Sequence, residues 1–135
     1  MNVRGRKWLL IILLFNIAIT SIHYTDNALF VANYPEPKWI TTSGVFLTWI
    51  VMTSIGIIGY WFYRQQYYWL SYFLLGLYAG TGLSSPAHYF YGSWLRFSSK
   101  MHAFIWSDAI AGLTVVGFII WSGLLAQEWR TVKES

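Results

Sequence analysis

The chain contains no cysteine and few charged residues. Its 135 residues include nine Lys or Arg and five Asp or Glu, so 10% are charged, against about 25% in an average soluble domain. The absence of cysteine excludes disulfides, thiol chemistry and thiolate metal ligands. So few charges cannot cover a water-facing surface, which argues against a soluble enzyme, a nucleic-acid-binding protein and a disordered chain.

Hydrophobic residues make up 56% of the chain, and its nine tryptophans add to an aromatic share of 21%. This composition indicates that most of the surface faces lipid. A membrane-spanning helix needs about 20 predominantly apolar residues, and four segments meet this requirement. They cover residues 8–31, 40–63, 67–88 and 101–126. The sequence thus predicts an all-α membrane protein, one four-helix transmembrane bundle over residues 1–135 with no extramembrane domain.

The distribution of Lys and Arg predicts the orientation of this bundle. Six of the nine flank the ends predicted to lie on one side, and three flank the other. Because short cytoplasmic segments are enriched in positive charge, both termini are predicted to be cytoplasmic in a multi-pass protein of the plasma (inner) membrane. The alternative is that residues 1–20 are a cleaved signal peptide. The apolar character that resumes at Ala28 argues against it.

Two of the predicted helices carry polar stripes at the spacing of one helical face. The stripe on the first helix consists of Asn16, Thr20, His23 and Asn27. The stripe at the end of the third consists of Thr81, Ser84, Ser85 and His88. Lipid cannot satisfy such faces, so they are expected to line the bundle interior. Pro86 is expected to kink or end the third helix.

The ionisable groups within the spans gather in the outer half of the predicted bundle. His23 and His88 come near the ends of helices that run outward, and His102 begins one that runs inward. Asp26 and Asp108 lie in the same half. Because ionisable residues at membrane depth are costly, they mark functional sites by default. The sequence therefore predicts an outward-facing polar pocket. Its further members are predicted to be Asn16, Thr20, Asn27 and Ser84.

Several hypotheses for this pocket stay open at the level of sequence. His23, His88 and His102 suit one divalent ion such as zinc. Asp108 and Asp26 would then be catalytic, in a metal-assisted reaction on a membrane-resident substrate. A haem between two histidines is an alternative cofactor. The pocket could instead bind or transport a lipid or small hydrophobic ligand without being an enzyme, or its polar residues could only pack helices.

Three further features give expectations about packing and partners. Gly76 and Gly80 form a small-xxx-small motif, which predicts a homo-oligomer through this face. The alternative is that these glycines tighten the monomer's own bundle. Glu36 and Lys38 are expected in a solvated turn. The segment 127–135 is expected to be a frayed helix end.

Overall fold

The structure is a computed structural model that describes residues 3–130, most of which are helical. Within this range no residue belongs to a β-strand, as the predicted all-α class requires. The long helices are α1 (Val3–Leu29), α2 (Thr42–Arg64), α3 (Tyr68–Leu83) and α4 (Ser99–Ile120). Short 3-10 helices cover Val31–Asn33, Ser85–Phe90 and Trp94–Arg96, and a π-helical turn over Trp121–Leu125 extends α4.

Three helical stretches are long and apolar enough to cross a membrane. They are Val3–Leu29, Thr42–Arg64 and Ser99–Leu125. Large apolar side chains such as Leu14, Phe15 and Ile110 stay exposed on them, as expected of a protein whose solvent is lipid. The predicted third span is shorter than expected, because α3 has 16 residues. Pro86 lies in the first turn of the 3-10 helix that follows α3, since proline cannot continue the α-helical hydrogen-bond ladder.

The helices form a bundle in which α1 and α3 each pack against α2 and α4. The contact between α3 and α4 depends on Gly82 and Gly112. A Cβ atom on Gly82 would lie 2.3 Å from the carbonyl oxygen of Asp108, and one on Gly112 would lie 2.9 Å from that of Ala79. Two helix backbones therefore touch directly, and this contact fixes the height at which the Asp108 side chain faces the other helices.

Gly76 and Gly80 lie on the other side of α3. A Cβ atom on either would meet nothing within 4 Å. The alternative in which these two glycines tighten the monomer's own bundle is therefore wrong. Their open face is available to lipid or to another helix.

The connection between α1 and α2 folds back over the end of the bundle. Tyr34 is buried, and its hydroxyl donates to Asp26 Oδ2 at 2.8 Å. The Glu36 side chain is only 5% exposed, so the expectation of a solvated turn is wrong for this residue. Lys38 is exposed, as expected. The fold-back follows from burial of Tyr34 and Pro35, because Pro35 packs against the bare backbone of Gly92.

The chain also folds back at the opposite end of the bundle. Glu128 is 3% exposed and accepts hydrogen bonds from the hydroxyls of Tyr63 and Ser122. The Trp129 indole donates to the Gly123 carbonyl at 2.9 Å. The expectation of a frayed end is thus wrong up to residue 130, because a buried carboxylate with these donors holds the segment. Residues 131–135 lie outside the described range.

Candidate functional site

A hydrogen-bonded histidine and aspartate lie at the centre of the site. His23 Nδ1 and Asp108 Oδ2 are 2.7 Å apart, with side chains that are 3% and 0% exposed. The Ser85 hydroxyl donates to the same carboxylate oxygen at 3.1 Å. An ionised carboxylate only accepts hydrogen bonds, so Nδ1 carries the proton that it donates to Asp108. In the neutral imidazole this leaves Nε2 with a free lone pair.

His23 Nε2 is buried and has no hydrogen-bond partner among the described residues, and the same holds for Asp108 Oδ1. A buried polar atom without a partner costs about 1–3 kcal/mol. The His23 ring lines a cavity, so a molecule in this cavity can meet the ring. The arrangement therefore holds an oriented proton acceptor, buried in a residue that lines the cavity.

The cavity has a volume of about 370 Å³ and lies between the C-terminal end of α1, the 30–41 connection, the start of α2 and the end of α3. This volume is within the range of small-molecule sites. Its polar wall consists of His23, Asn27, Glu36, Thr81, Ser84, Ser85 and His88. Its other wall includes Tyr24, Trp39, Ile40, Val45 and Thr48. The mixed lining suits a molecule with a polar group on an apolar body.

Glu36 brings a carboxyl group into the cavity from the 30–41 connection. The Asn27 amide donates to Oε1, and Oε2 is buried without a partner among residues 3–130. Burial raises the pKa of Glu36, although the Asn27 hydrogen bond and the charge of His23 oppose this rise. The carboxyl group is therefore protonated at a higher pH than an ordinary glutamic acid.

His88 lies beside both groups. Its ring centroid is 5.9 Å from that of His23, and its Nδ1 is 3.4 Å from Glu36 Oε1. Burial, followed by repulsion from His23, lowers the pKa of His88 to about 4. His88 is therefore neutral at physiological pH, and its contact with Glu36 is not a pair of opposite charges.

This chain has no detected relative. Comparisons with known protein families, with curated proteins and with solved structures give no match. The function must therefore be argued from the site itself.

The structure brings together only part of the predicted site. His23, His88, Asn27 and Ser84 line the cavity, and Asp108 holds His23 from behind. Asp26 instead accepts from Lys100 Nζ at 2.6 Å. Because Tyr34 also binds Asp26, this predicted catalytic residue joins the connection to the bundle and does not line the cavity.

His102 does not join the other two histidines. Its Nδ1 is 2.7 Å from the Tyr89 hydroxyl, and its ring stacks on Trp94 with centroids 4.2 Å apart. The predicted ligand set of three histidines is therefore not assembled. Across residues 3–130, no group of three or more His, Cys, Asp or Glu side chains is placed to hold a metal ion.

Asn16 and Thr20 are buried with the rest of their stripe, which confirms that this face of α1 is directed into the bundle. They do not line the cavity. Asn16 Nδ2 donates to the Thr114 hydroxyl at 3.1 Å, and Thr20 accepts from the Trp49 indole at 3.1 Å. These two side chains hold α1 to α4 and α2 below the cavity, in a packing role.

Glu36 is the site residue that sequence reasoning missed. Glu36 lies between two prolines, and the residues beyond them are an aromatic residue on one side and a charged residue on the other. Such a segment is typical of an exposed turn. The available signal was the aromatic residue Tyr34 two positions before it. That signal shows that the connection can bury side chains, but it does not show which carboxyl group points inward.

Proposed function

We propose that this protein is a membrane-embedded enzyme that moves a proton on a small membrane-resident molecule, with His23 as the base. The observation that carries the proposal is the His23–Asp108 pair, which leaves an unpartnered lone pair on Nε2 of a residue that lines the cavity. Asp108 fixes the tautomer and stabilises the imidazolium that forms, as the carboxylate does in other acid–base pairs. The bundle is proposed to span the membrane four times, with the cavity facing outward and both termini cytoplasmic.

The proposed step is a transfer at carbon. Protons on oxygen and nitrogen exchange quickly without an enzyme, whereas those on carbon need a positioned base. A C–H bond of the ligand breaks, its electron pair stays on the ligand and the proton goes to His23 Nε2. Glu36, whose pKa is raised by burial, is placed in the same cavity to give a proton to another atom of the ligand.

Covalent catalysis by serine does not fit this geometry. The Ser85 hydroxyl donates to Asp108, and the Ser84 hydroxyl donates to the Thr81 carbonyl at 2.9 Å. A nucleophilic serine needs its own proton directed to the base. Direct proton transfer is therefore the chemistry that these residues support best.

Ligand binding without a reaction is the second candidate, and the unpartnered polar atoms favour it. Asn27 Oδ1 and Glu36 Oε2 are buried without partners among the described residues, as is His23 Nε2. Each can accept a hydrogen bond. A ligand with several hydroxyl or amine donors on an apolar body would satisfy all three.

The test uses protein reconstituted in nanodiscs with extracted membrane lipids. After incubation in D₂O, mass spectrometry would follow deuterium entering C–H positions of the molecules that remain bound. His23→Gln should reduce this exchange by about 10²–10⁴-fold. His102→Gln is the matched control, because it removes a histidine at the same end that stacks on Trp94 outside the cavity.

Each outcome separates the hypotheses. Unchanged exchange in His23→Gln would overturn the acid–base proposal. A ligand retained without any exchange would establish the binding function instead. About one equivalent of metal, lost in His23→Gln, would restore the metal hypothesis.

A further inference from the structure

A second cavity lies at the opposite end of the bundle, between the first turns of α1 and the end of α4. Its volume is about 400 Å³. It is lined by Arg4, Trp8, Ile12, Gly117, Phe118 and Trp121. We refer to it as the Arg4 groove. None of its residues takes part in the His23 site.

The shape of the Arg4 groove follows from Gly117. A Cβ atom at this position would meet nothing within 4 Å, so the surface of α4 has a gap there. Phe118 is buried beside the gap, and Ile12 packs against the same hydrophobic core. Trp8, on the facing helix, is 49% exposed. The groove thus has an apolar floor and an open side toward the lipid.

The charge around this end of the bundle is positive. The basic residues here are Arg4, Arg6, Lys7, Arg64 and Arg130. Glu128 is the acidic residue of this end within the described range, and it is buried. A guanidinium group binds phosphate oxygens in a bidentate manner. Tryptophan side chains favour the depth of lipid headgroups. Trp8 and a bound lipid phosphate would therefore lie at the same depth in the membrane.

We propose that the Arg4 groove binds one anionic phospholipid, with the phosphate on Arg4 and an acyl chain over Gly117. The apolar floor alone would accept any lipid. The positive end of the bundle selects an anionic headgroup, because basic residues near the membrane surface attract anionic lipids. This site is independent of the proposed proton transfer, so either can fail without the other.

Native mass spectrometry of protein in nanodiscs of phosphatidylcholine with phosphatidylglycerol tests the proposal. The wild type should retain one phosphatidylglycerol in preference to phosphatidylcholine. Arg4→Gln should weaken this retention by about tenfold or more, as expected for losing a hydrogen bond to a charged group. Lys38→Gln is the matched control, since Lys38 is an exposed lysine at the opposite end of the bundle and does not line the groove.

Gly117→Phe tests the acyl-chain position separately. Its ring should fill the groove and displace the lipid, while Ile110→Phe, two turns earlier on the same exposed face of α4, should not. Equal thermal stability of the two phenylalanine variants would exclude unfolding as the cause of lipid loss. The proposal is overturned if Gly117→Phe keeps the lipid as well as Ile110→Phe does, or if the wild type shows no preference for phosphatidylglycerol.

Discussion

Replacing Gly82 by Ala should push α3 away from α4 beside the His23–Asp108 pair. The new Cβ atom would lie 2.3 Å from the Asp108 carbonyl oxygen, where contacts under 3.0 Å are essentially never seen. The obstacle is helix backbone, which cannot rotate aside, so the helices must separate. Overpacking of this kind costs about 1–3 kcal/mol. The separation would also lengthen the hydrogen bond from Ser85 to Asp108 that spans these elements.

Gly76→Ala is the matched control, because it lies on the same helix and its Cβ atom would meet nothing within 4 Å. Both variants gain about 0.5–1 kcal/mol from replacing a helical glycine. The difference between them therefore isolates the overpacking, about 1–3 kcal/mol in favour of Gly76→Ala. Reversible unfolding in detergent micelles would measure the two free energies. If Gly82→Ala proved as stable as Gly76→Ala, the direct backbone contact of α3 with α4 would be refuted.

Other variants test the site and its surroundings. Asp108→Asn should release His23 from its fixed tautomer and lower carbon-proton exchange by about 10²–10⁴-fold, which deuterium incorporation measures; full exchange would contradict the role of Asp108. Burial lowers the pKa of His88 from 6.5 to about 4. As the pH falls, the His88 side chain is therefore protonated in the unfolded chain before it is protonated in the folded protein. The free energy of unfolding should therefore fall by about 3 kcal/mol between pH 7 and pH 4 because of His88. In urea unfolding, His88→Asn should lose less of this free energy over the same pH range, by that amount. Gly80→Leu should disrupt a homo-oligomer formed through the open face of α3, which native mass spectrometry in nanodiscs would detect as monomers; a wild type that is itself monomeric would contradict that interface.

Much of the helical architecture could be predicted from the sequence. Apolar runs locate the helices, because a chain in lipid must satisfy its backbone hydrogen bonds internally. The spacing of Asn16, Thr20 and His23 predicts one polar face, and all three side chains are buried. Pro86 predicts the end of α3, for the steric reasons that apply to any helix.

The composition of the site could not be predicted in the same way. His102 has the same residue type and the same predicted depth as His23, yet it stacks on Trp94 and binds Tyr89. Aromatic rings of the connection that precedes α4 decide this, and helical periodicity does not predict how such a connection packs. Glu36 reached the cavity by the same route, because burial of Tyr34 and Pro35 directs the connection inward.

The sequence by itself determined the solvent and the secondary structure of this protein. With 10% charged residues, its surface suits lipid, and its hydrophobic periodicity places polar stripes on helices. Only the tertiary structure decided which ionisable groups meet. The close approach at Gly82 sets Asp108 against His23, and the folded-back connection adds Glu36. Such pairings depend on contacts between residues far apart in the chain, and local sequence patterns carry no information about those distances.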